Sequence, residues 1–333
     1  MNEEILKLKH SLSIPKEVVI LSHRNPDGDA IGSSMAMRQF LETFGHRVHV
    51  VFPSEYPANF EFLPGVFRSL IYDLDPQACK EKIEKSELIF SLDFNALDRV
   101  DKLGEFVQFS QATKVMIDHH LDPEPFTDIT ISDPNASSTC ELVFRVITEM
   151  GYGYKINPQI GECIFTGLIT DTGSFRYGTS PYTYHVASQL KLSGVDDYEL
   201  ANKIFNSQKE KHLRLLGHCL ANRMEIVEDS GLGVMWLTKQ DYIDFNIQRG
   251  DTEGIVNYLL LLDNIKVGVL VLEQPSIIKL SLRSKGDISV QEIASKYFNG
   301  GGHKNASGGG VYASLTDVIH KVKKVIPPLI RLN

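Results

Sequence analysis

Four groups of aspartate and histidine residues in the first half of the chain have the side-chain types of a metal site. They are, in chain order, His23 with Asp27 and Asp29, then Asp93, then Asp118-His119-His120, and then Asp171. Several carboxylates crowded together would repel one another, and some would have to take up protons. Divalent cations remove that conflict, and a mixture of imidazole and carboxylate suits Mn²⁺, Mg²⁺ or Fe²⁺. The residue types therefore indicate metal-assisted chemistry, provided that the fold brings the groups together.

The apolar runs of the sequence predict the elements that would position these side chains. Strands are predicted at 18–21, 48–52, 88–92 and 114–117, and helices at 30–44, 76–86, 137–150 and 158–170. This alternation is typical of a parallel sheet with helices on both faces. Three of the four groups directly follow a predicted strand, and ligands of such sheets bind beyond the carboxyl ends of the strands. We therefore expect one site at that edge.

Each group on its own has a common structural explanation. Asp27-Gly28-Asp29 has the composition of a turn, a His-His pair is often an exposed loop, and a single aspartate after a strand is often a helix cap. The coincidence of all the groups at successive predicted strand ends is what favours a functional site.

The pattern changes after about residue 194 and predicts a second domain. A charged helical segment at 196–220 is interpreted as a linker between domain 1–195 and domain 221–333. Hairpins are predicted from 224–227 with 234–237, and from 265–272 with 277–282, and a helix at 290–298 precedes a glycine-rich segment. The predicted fold class is α/β: an N-terminal parallel-sheet domain and a smaller α/β domain with a mixed sheet.

Composition narrows the class of partner. The 333 residues carry a net charge of -8, which argues against binding long RNA or duplex DNA but permits a short nucleotide. The first 16 residues contain no apolar core of a signal peptide, and no run approaches the roughly 18 apolar residues of a membrane span. None of the four cysteines forms a C-x-x-C pair. We expect a cytoplasmic protein with no membrane partner.

These motifs together resemble a known family. The segments His23-x-x-Pro26-Asp27-x-Asp29-x-x-Gly32-Ser33, Asp93, Asp118-His119-His120 and Asp171-Thr172-Gly173 are similar to the four motifs of the DHH phosphoesterase superfamily. Arg283-Ser284 and the segment from Gly300 to Gly309 resemble its C-terminal DHHA1 domain. The resemblance extends from about residue 18 to about residue 311. It is strongest to a group of cytoplasmic bifunctional oligoribonucleases and phosphatases of 3′-phosphoadenosine 5′-phosphate (pAp).

The resemblance implies a role for each matching residue. His23 and Asp27 would hold one divalent ion, Asp29, His119 and Asp171 would hold a second, and the catalytic Asp93 would bridge both. Asp118 would orient His119, and the catalytic His120 would face the substrate phosphate. Mn²⁺ is the family expectation, with Mg²⁺ or Fe²⁺ as alternatives.

The resemblance also implies a substrate and the residues that bind it. The enzyme would hydrolyse short 5′-phosphorylated oligoribonucleotides to nucleoside monophosphates, and pAp to AMP. Phosphate contacts are expected from Arg283, Ser284, Gly301, Gly302, His303 and Asn305, and from Arg99, which follows Asp93. The partner would be a short RNA or small nucleotide rather than a long duplex, and a homodimer is compatible with this group.

Three alternative functions stay open. A soluble cyclic-dinucleotide phosphodiesterase would resemble this chain throughout. An inorganic pyrophosphatase would share the N-terminal motifs but carry a basic Arg-Lys-Lys type motif in its second domain, where this chain has Gly300-Gly301-Gly302-His303. A non-catalytic nucleotide sensor would lack at least one metal ligand, and all six are present here.

Overall fold

The computed structural model describes residues 3–206, 209–248 and 250–331, and the chain divides into two units, Met1–Ser207 and Gln208–Asn333. The division falls inside the segment predicted as a linker. This segment contains two helices: Asp197–Phe205 belongs to the first unit, and Glu210–Asn222 belongs to the second unit. Residues 207–208 of that predicted linker, and the outermost residues 1–2 and 332–333 of the predicted domains, lie outside the described residues.

The first unit is built on a six-stranded parallel sheet. Its strands are β1 (Glu17–Leu21), β2 (Arg47–Phe52), β3 (Leu70–Ile71), β4 (Leu88–Leu92), β5 (Thr113–Asp118) and β6 (Ile129–Ser132). Their order in the sheet is β3-β2-β1-β4-β5-β6, and every pair is parallel. The strand order reverses between β1 and β4. Ligands of open α/β sheets bind at such a switch point, beyond the carboxyl ends of the strands.

Helices cover both faces of this sheet, as predicted. They are α1 (Glu3–Ser11), α2 (Gly28–Glu42), α3 (Pro76–Lys85), α4 (Leu103–Phe109), α5 (Thr139–Glu149), α6 (Pro158–Asp171), α7 (Pro181–Leu192) and α8 (Asp197–Phe205). Successive residues of β1 point to opposite faces. Val18 and Ile20 join the core formed with α2, α5 and α6, whereas Val19 and Leu21 join the core formed with α3 and α4.

Helices α2 and α6 approach closely through glycine residues. A Cβ atom on Gly32 of α2 would collide with the carbonyl oxygen of Cys163 on α6 and would lie 3.2 Å from the backbone nitrogen of Gly167. A Cβ atom on Gly167 would collide with the side chains of Asp29 and Cys140. The missing side chains allow α2 and α6 to pack against each other, and these two helices carry Asp29 and Asp171.

The second unit contains a separate mixed sheet. Its strands are β7 (Met224–Val227), β8 (Leu232–Leu237), β9 (Val267–Glu273), β10 (Ile278–Ser284), β11 (Gly301–His303) and β12 (Ala306–Val311). The order is β11-β12-β10-β9-β8-β7, with β8 and β9 parallel and the other neighbours antiparallel. Both predicted hairpins are present, and the prediction of a mixed sheet is confirmed.

Four helices accompany this second sheet. They are α9 (Glu210–Asn222), α10 (Lys239–Asp244), α11 (Val290–Phe298) and α12 (Leu315–Arg331). α12 buries Val318, Val322 and Ile326, which recur at a spacing of four residues and face the sheet together with α11. No helix in the described ranges is both long and apolar enough to cross a membrane.

The glycine-rich segment has a local structure that the sequence analysis did not predict. It forms β11 and β12, paired antiparallel with Gly301 opposite Gly308, rather than an irregular loop. A Cβ atom on Gly300 would collide with the carbonyl oxygen of Gly308, and one on Gly309 would lie 2.8 Å from that of Phe298. Close packing of β11, β12 and α11 therefore accounts for glycine at these positions.

Candidate active site

The segment from the end of β1 to the first turn of α2 carries three of the predicted ligands. His23 lies two residues beyond the end of β1, and Asp27 is the N-cap of α2. The Oδ1 atom of Asp27 accepts hydrogen bonds from the backbone N–H groups of Asp29 and Ala30, at 3.0 and 3.1 Å. Aspartate is favoured at this position because it satisfies N–H groups that the helix itself leaves free. The cap therefore fixes the turn that places Asp29 in the first turn of α2.

Asp93 lies between two groups of ligands. It directly follows β4 and adopts a left-handed backbone conformation (φ 63°), which aspartate tolerates better than most residues. Its Oδ2 atom lies 3.3 Å from the Nε2 atom of His23, and its Oδ1 atom lies 3.6 Å from the Nε2 atom of His119. The two oxygens of one buried carboxylate thus face two different imidazoles.

The end of β5 supplies the third group of ligands. His119 follows Asp118, the last residue of β5, and its Nε2 atom lies 3.2 Å from the Oδ2 atom of Asp171 and 3.9 Å from the Oδ2 atom of Asp29. Asp171 is the last residue of α6 and so reaches the site from a helix end. Side chains from β5, α2 and α6 therefore meet at one place.

One expected contact is wrong, because Asp118 hydrogen-bonds to His120 and not to His119. Its Oδ1 atom lies 2.7 Å from the Nδ1 atom of His120, and its Oδ2 atom accepts the backbone N–H of His120 at 2.8 Å. The Nδ1 atom of His119 instead lies 3.3 Å from the carbonyl oxygen of Ala136. The backbone carbonyl of Ala136 thus orients His119, the role that was expected for Asp118. The chain turns after β5, and this turn places the imidazole of His120 beside the carboxylate of Asp118.

The start of α5 holds several of these ligands in place. The backbone N–H groups of Thr139 and Cys140 donate to the two oxygens of Asp29, at 2.6 and 2.9 Å. The hydroxyl of Thr139 donates to the Oδ1 atom of Asp93 at 3.0 Å. A carboxylate at a helix N-terminus also gains from the helix dipole. Sequence analysis missed this role, although Ser137, Ser138 and Thr139 at the start of the helix predicted at 137–150 are a capping signal.

The pKa values show the crowding of charge in this cluster. Burial, and next the charge of Asp93, raise the pKa of Asp29 to about 8, and burial raises the pKa of Asp171 well above its usual range. Burial opposes the charged form of His23, but its hydrogen bond with Asp93 prevails and raises its pKa to about 9. Burial likewise opposes ionisation of Asp93, yet the neighbouring imidazoles lower its pKa. Without a cation, the cluster must hold protons to balance its carboxylates.

The predicted ligands fall into two groups that could each hold a metal ion. Ligand atoms of His23, Asp27 and Asp93 lie within 4.8 Å of one another, and so do those of Asp29, His119 and Asp171. Each group combines one imidazole with two carboxylates, a donor set that suits Mn²⁺, Mg²⁺ or Fe²⁺. The residues therefore fit divalent ions, and all six predicted ligands are brought together.

Arg99 lies close to this cluster. It belongs to a short 3₁₀ turn, Leu97–Val100, and its carbonyl oxygen accepts the N–H of Arg24 at 2.8 Å. Its positive charge is one of the influences that lower the pKa of His23. No carboxylate of the described residues forms an ion pair with Arg99, so its guanidinium adds positive charge beside an acidic site.

The predicted phosphate contacts of the second unit lie on neighbouring strands. Arg283 and Ser284 end β10, and Arg283 pairs with Ala306 of β12. The amide nitrogen of Asn305 donates to the hydroxyl of Ser284 at 2.9 Å and to the carbonyl oxygen of Gly286 at 3.0 Å. Ser284 in turn donates to the carbonyl oxygen of Ile288 at 2.6 Å. Ser284 and Asn305 therefore shape the loop after β10.

The three remaining predicted contacts of the second unit, Gly301, Gly302 and His303, all lie on β11 at the edge of its sheet. All three are exposed, and Gly302 has a φ of 137° that favours glycine. Their contact with a phosphate stays a prediction.

Two sequence profiles match the chain. The profile of the DHH family, N-terminal domain, matches residues 17–168 and covers the strands and most of the helices that carry the predicted ligands. The profile of the DHHA1 domain matches residues 234–327, most of the second unit.

Individual relatives cover nearly the whole chain. The bifunctional oligoribonuclease and PAP phosphatase NrnA of Bacillus subtilis is 27% identical over 92% of this chain and 93% of its own length. The cyclic-di-AMP phosphodiesterase PdeA of Listeria monocytogenes is 26% identical over 89% of this chain and 45% of its own length. The crystal structure of an exopolyphosphatase-related protein from Bacteroides fragilis matches with a TM-score of 0.95 and 38% identity, over 98% of this chain and 97% of that one.

Proposed function

This chain belongs to the DHH family of phosphoesterases, with a C-terminal DHHA1 domain, and we propose that it hydrolyses short 5′-phosphorylated oligoribonucleotides and pAp. The products would be nucleoside 5′-monophosphates and AMP. Similarity to NrnA along nearly the full length of both proteins supports this substrate class. We further propose that the enzyme is cytoplasmic and uses two divalent ions, with Mn²⁺ as the first choice.

The position of Asp93 is the observation that carries the proposal. Its Oδ2 atom faces His23 and its Oδ1 atom faces His119, and these histidines belong to different ligand groups. A carboxylate placed in this way could serve as a ligand to both ions of a two-metal site. Divalent ions held there would supply a nucleophilic water at neutral pH and neutralise charge on the phosphoryl group.

The protein's own residues would orient and stabilise the phosphate. The hydrogen bond between Asp118 and the Nδ1 atom of His120 fixes that imidazole and favours a proton on Nδ1. The Nε2 atom of His120 would then contact a phosphoryl oxygen, and it would donate a hydrogen bond when the ring is protonated. Arg99 would add a second positive charge against the developing negative charge. Arg283 and His303 are proposed to bind a further phosphate of the substrate.

A product assay tests this function directly. The full-length protein in Mn²⁺ buffer would be given pApA, pAp, cyclic di-AMP and pyrophosphate in parallel, and the products separated by chromatography. We expect AMP from pApA and pAp. Asp93→Asn is the matched control, because asparagine also tolerates the left-handed backbone of this position but cannot bridge two ions as a carboxylate does. The variant should fold normally and lose activity on both substrates.

Other outcomes would replace the proposal. Rapid hydrolysis of pyrophosphate with pApA and pAp intact would assign a pyrophosphatase. Failure of a folded, metal-loaded protein to hydrolyse any of the four would favour a nucleotide sensor. Activity of Asp93→Asn equal to that of the wild type would show that the bridging role is wrong.

A second candidate function is hydrolysis of cyclic di-AMP. It is favoured by the similarity to PdeA, although this chain spans less than half of that protein. The assay separates the candidates, because a cyclic-dinucleotide phosphodiesterase would convert cyclic di-AMP faster than it converts pApA. We favour the linear substrates because the match to NrnA extends along both chains.

A further inference from the structure

The loop after Asp171 has an unusual backbone that is held firmly in place. Gly173, Ser174 and Phe175 all have left-handed φ angles, of 55°, 61° and 63°. The N–H of Ser174 donates to the carbonyl oxygen of Ile169 at 2.7 Å, and the N–H of Phe175 donates to the hydroxyl of Thr172 at 2.9 Å. The chain therefore folds back over the end of α6, beside a predicted metal ligand.

Three aromatic side chains surround this loop, and we name Phe175, Tyr177 and Tyr184 the aromatic platform. The ring of Phe175 stacks on that of Tyr184, with centroids 5.5 Å apart and planes 25° apart. Phe175 also packs edge-on against Phe165 at 6.0 Å, which anchors the stack to the core. The hydroxyl end of Tyr177 lies over Gly173, where a Cβ atom would collide with it. The platform thus begins at Phe175, four residues after Asp171.

The platform exposes its aromatic surface. Tyr177 is 56% exposed and Tyr184 is 53% exposed. Arg176, which precedes Tyr177 in the chain, is also exposed and forms no ion pair with any residue that the structure describes. A group of exposed aromatic side chains next to a site is a candidate for ligand contact. An unpaired arginine beside them would attract an anionic ligand that also carries a flat apolar group.

We propose that the aromatic platform is a stacking subsite for the nucleobase of the nucleotide whose phosphate is bound at the metal ligands. The inference rests on the proposed function, since it takes the substrate to be a nucleotide. Every base has an aromatic face, so stacking binds bases with little regard to sequence. Arg176 would contact a phosphate of the same ligand. The platform would therefore make the enzyme require a base without choosing which one.

The test compares two ligands that differ only in the base. AMP and ribose 5-phosphate would be titrated calorimetrically into the full-length, Mn²⁺-loaded protein. Stacking of one base typically contributes enough for AMP to bind about tenfold or more tightly than ribose 5-phosphate. Tyr177→Ala and Tyr184→Ala should each reduce that ratio, and the double variant should bring it close to one. Tyr177→Phe and Tyr184→Phe keep the ring and should keep the ratio.

The outcomes separate this inference from the proposed function. Equal affinity for both ligands in the wild type, or an undiminished preference for AMP in the double alanine variant, would overturn the subsite. Tyr177→Leu and Tyr184→Leu retain apolar bulk but have no ring. A lower ratio of AMP affinity to ribose 5-phosphate affinity in these variants would therefore be due to the missing ring and not to lost packing. Because AMP binding needs no turnover, a preference for AMP in a protein that hydrolyses neither pApA nor pAp would refute the function and leave the subsite standing.

Discussion

The hydroxyl of Thr139 donates a hydrogen bond to the Oδ1 atom of Asp93 across 3.0 Å, and both side chains are buried. Thr139 is the first residue of α5, and its backbone N–H simultaneously donates to Asp29. One residue therefore orients two carboxylates that belong to different ligand groups. Groups that hydrogen-bond to metal ligands fix their direction and raise the affinity for the metal.

Replacement of Thr139 by valine should weaken metal binding. Thr139→Val keeps the shape and the backbone N–H but removes the hydroxyl that holds Asp93. We expect Mn²⁺ affinity to fall about 10–100-fold, as is usual for loss of such a partner. Calorimetric titration of the metal-free protein measures it, and Thr139→Ser, which retains the hydroxyl, should bind nearly as the wild type does. Equal affinity of the valine variant and the wild type would contradict the role.

Replacement of Asp171 by asparagine should stabilise the metal-free protein. Burial raises the pKa of Asp171 well above its usual range, and the carboxylate lies at the C-terminal end of α6, where the helix dipole disfavours negative charge. An acid with a raised folded pKa destabilises the fold increasingly as pH rises above its unfolded pKa of about 4. Asp171→Asn should thus raise the free energy of unfolding by about 1 kcal/mol at pH 8.

Denaturation in the presence of a chelator, at pH 4 and pH 8, measures this effect. The gain from Asp171→Asn should be much smaller at pH 4, where Asp171 is protonated in the folded state and about half protonated in the unfolded state. Added Mn²⁺ should stabilise the wild type more than the variant. A variant that is less stable than the wild type at pH 8 without metal would show that the ionised carboxylate of Asp171 does not destabilise the metal-free protein.

Metal binding near neutral pH should release protons. The pKa of Asp29 is raised to about 8 and that of His23 to about 9, so both groups hold a proton at pH 7 in the metal-free protein. A metal ion binds only their deprotonated forms. Proton release should therefore decrease, and apparent affinity should rise, as pH increases through about 8 and about 9. Titrations in two buffers with different protonation enthalpies count the protons, and a buffer-independent heat at pH 7 would contradict the expectation.

Addition of a methyl group between α2 and α6 should destabilise the first unit. The new Cβ atom of Gly32→Ala would collide with the carbonyl oxygen of Cys163 and lie 3.1 Å from the Sγ atom of Cys140. Overpacking of this kind costs about 1–3 kcal/mol. Gly217→Ala in α9 is the control, because no atom beyond the neighbouring residues and backbone of its own helix lies within 4 Å of its Cβ position, and alanine there should stabilise by about 0.5–1 kcal/mol. Chemical denaturation of both variants makes the comparison, and a neutral Gly32→Ala would show that the helices can separate without cost.

The site could be predicted in outline because strand ends are visible in a sequence. Asp93 and His119 follow apolar runs that became β4 and β5, and parallel strands present their carboxyl ends at one edge. The α/β class with helices on both faces followed from the same alternation. Asp171 was grouped with these residues by its type and by the apolar run that precedes it; that run became α6, so Asp171 reaches the site from a helix end.

Other features depend on three-dimensional packing that the sequence pattern does not show. Thr139 at the start of α5 contacts Asp93 at the end of β4, although the two residues are 46 positions apart in the chain. β3 and β6 are only 2 and 4 residues long, too short for a clear alternation. β11 and β12 are composed largely of glycine, which has low strand propensity, so their pairing is decided by close contact with α11.

The reversal of strand order between β1 and β4 also has a consequence for local unfolding of the sheet. The six proposed ligands lie just after β1, β4 and β5 or at the ends of α2 and α6. A bound ion would therefore connect the chain segments that follow β1 and β4. Any partial opening that separates β1 from β4 would then have to break metal–ligand bonds as well as backbone hydrogen bonds. Metal binding would thereby stabilise the centre of the sheet against local opening. It should slow amide hydrogen exchange in β1 and β4 more than in the edge strands β3 and β6.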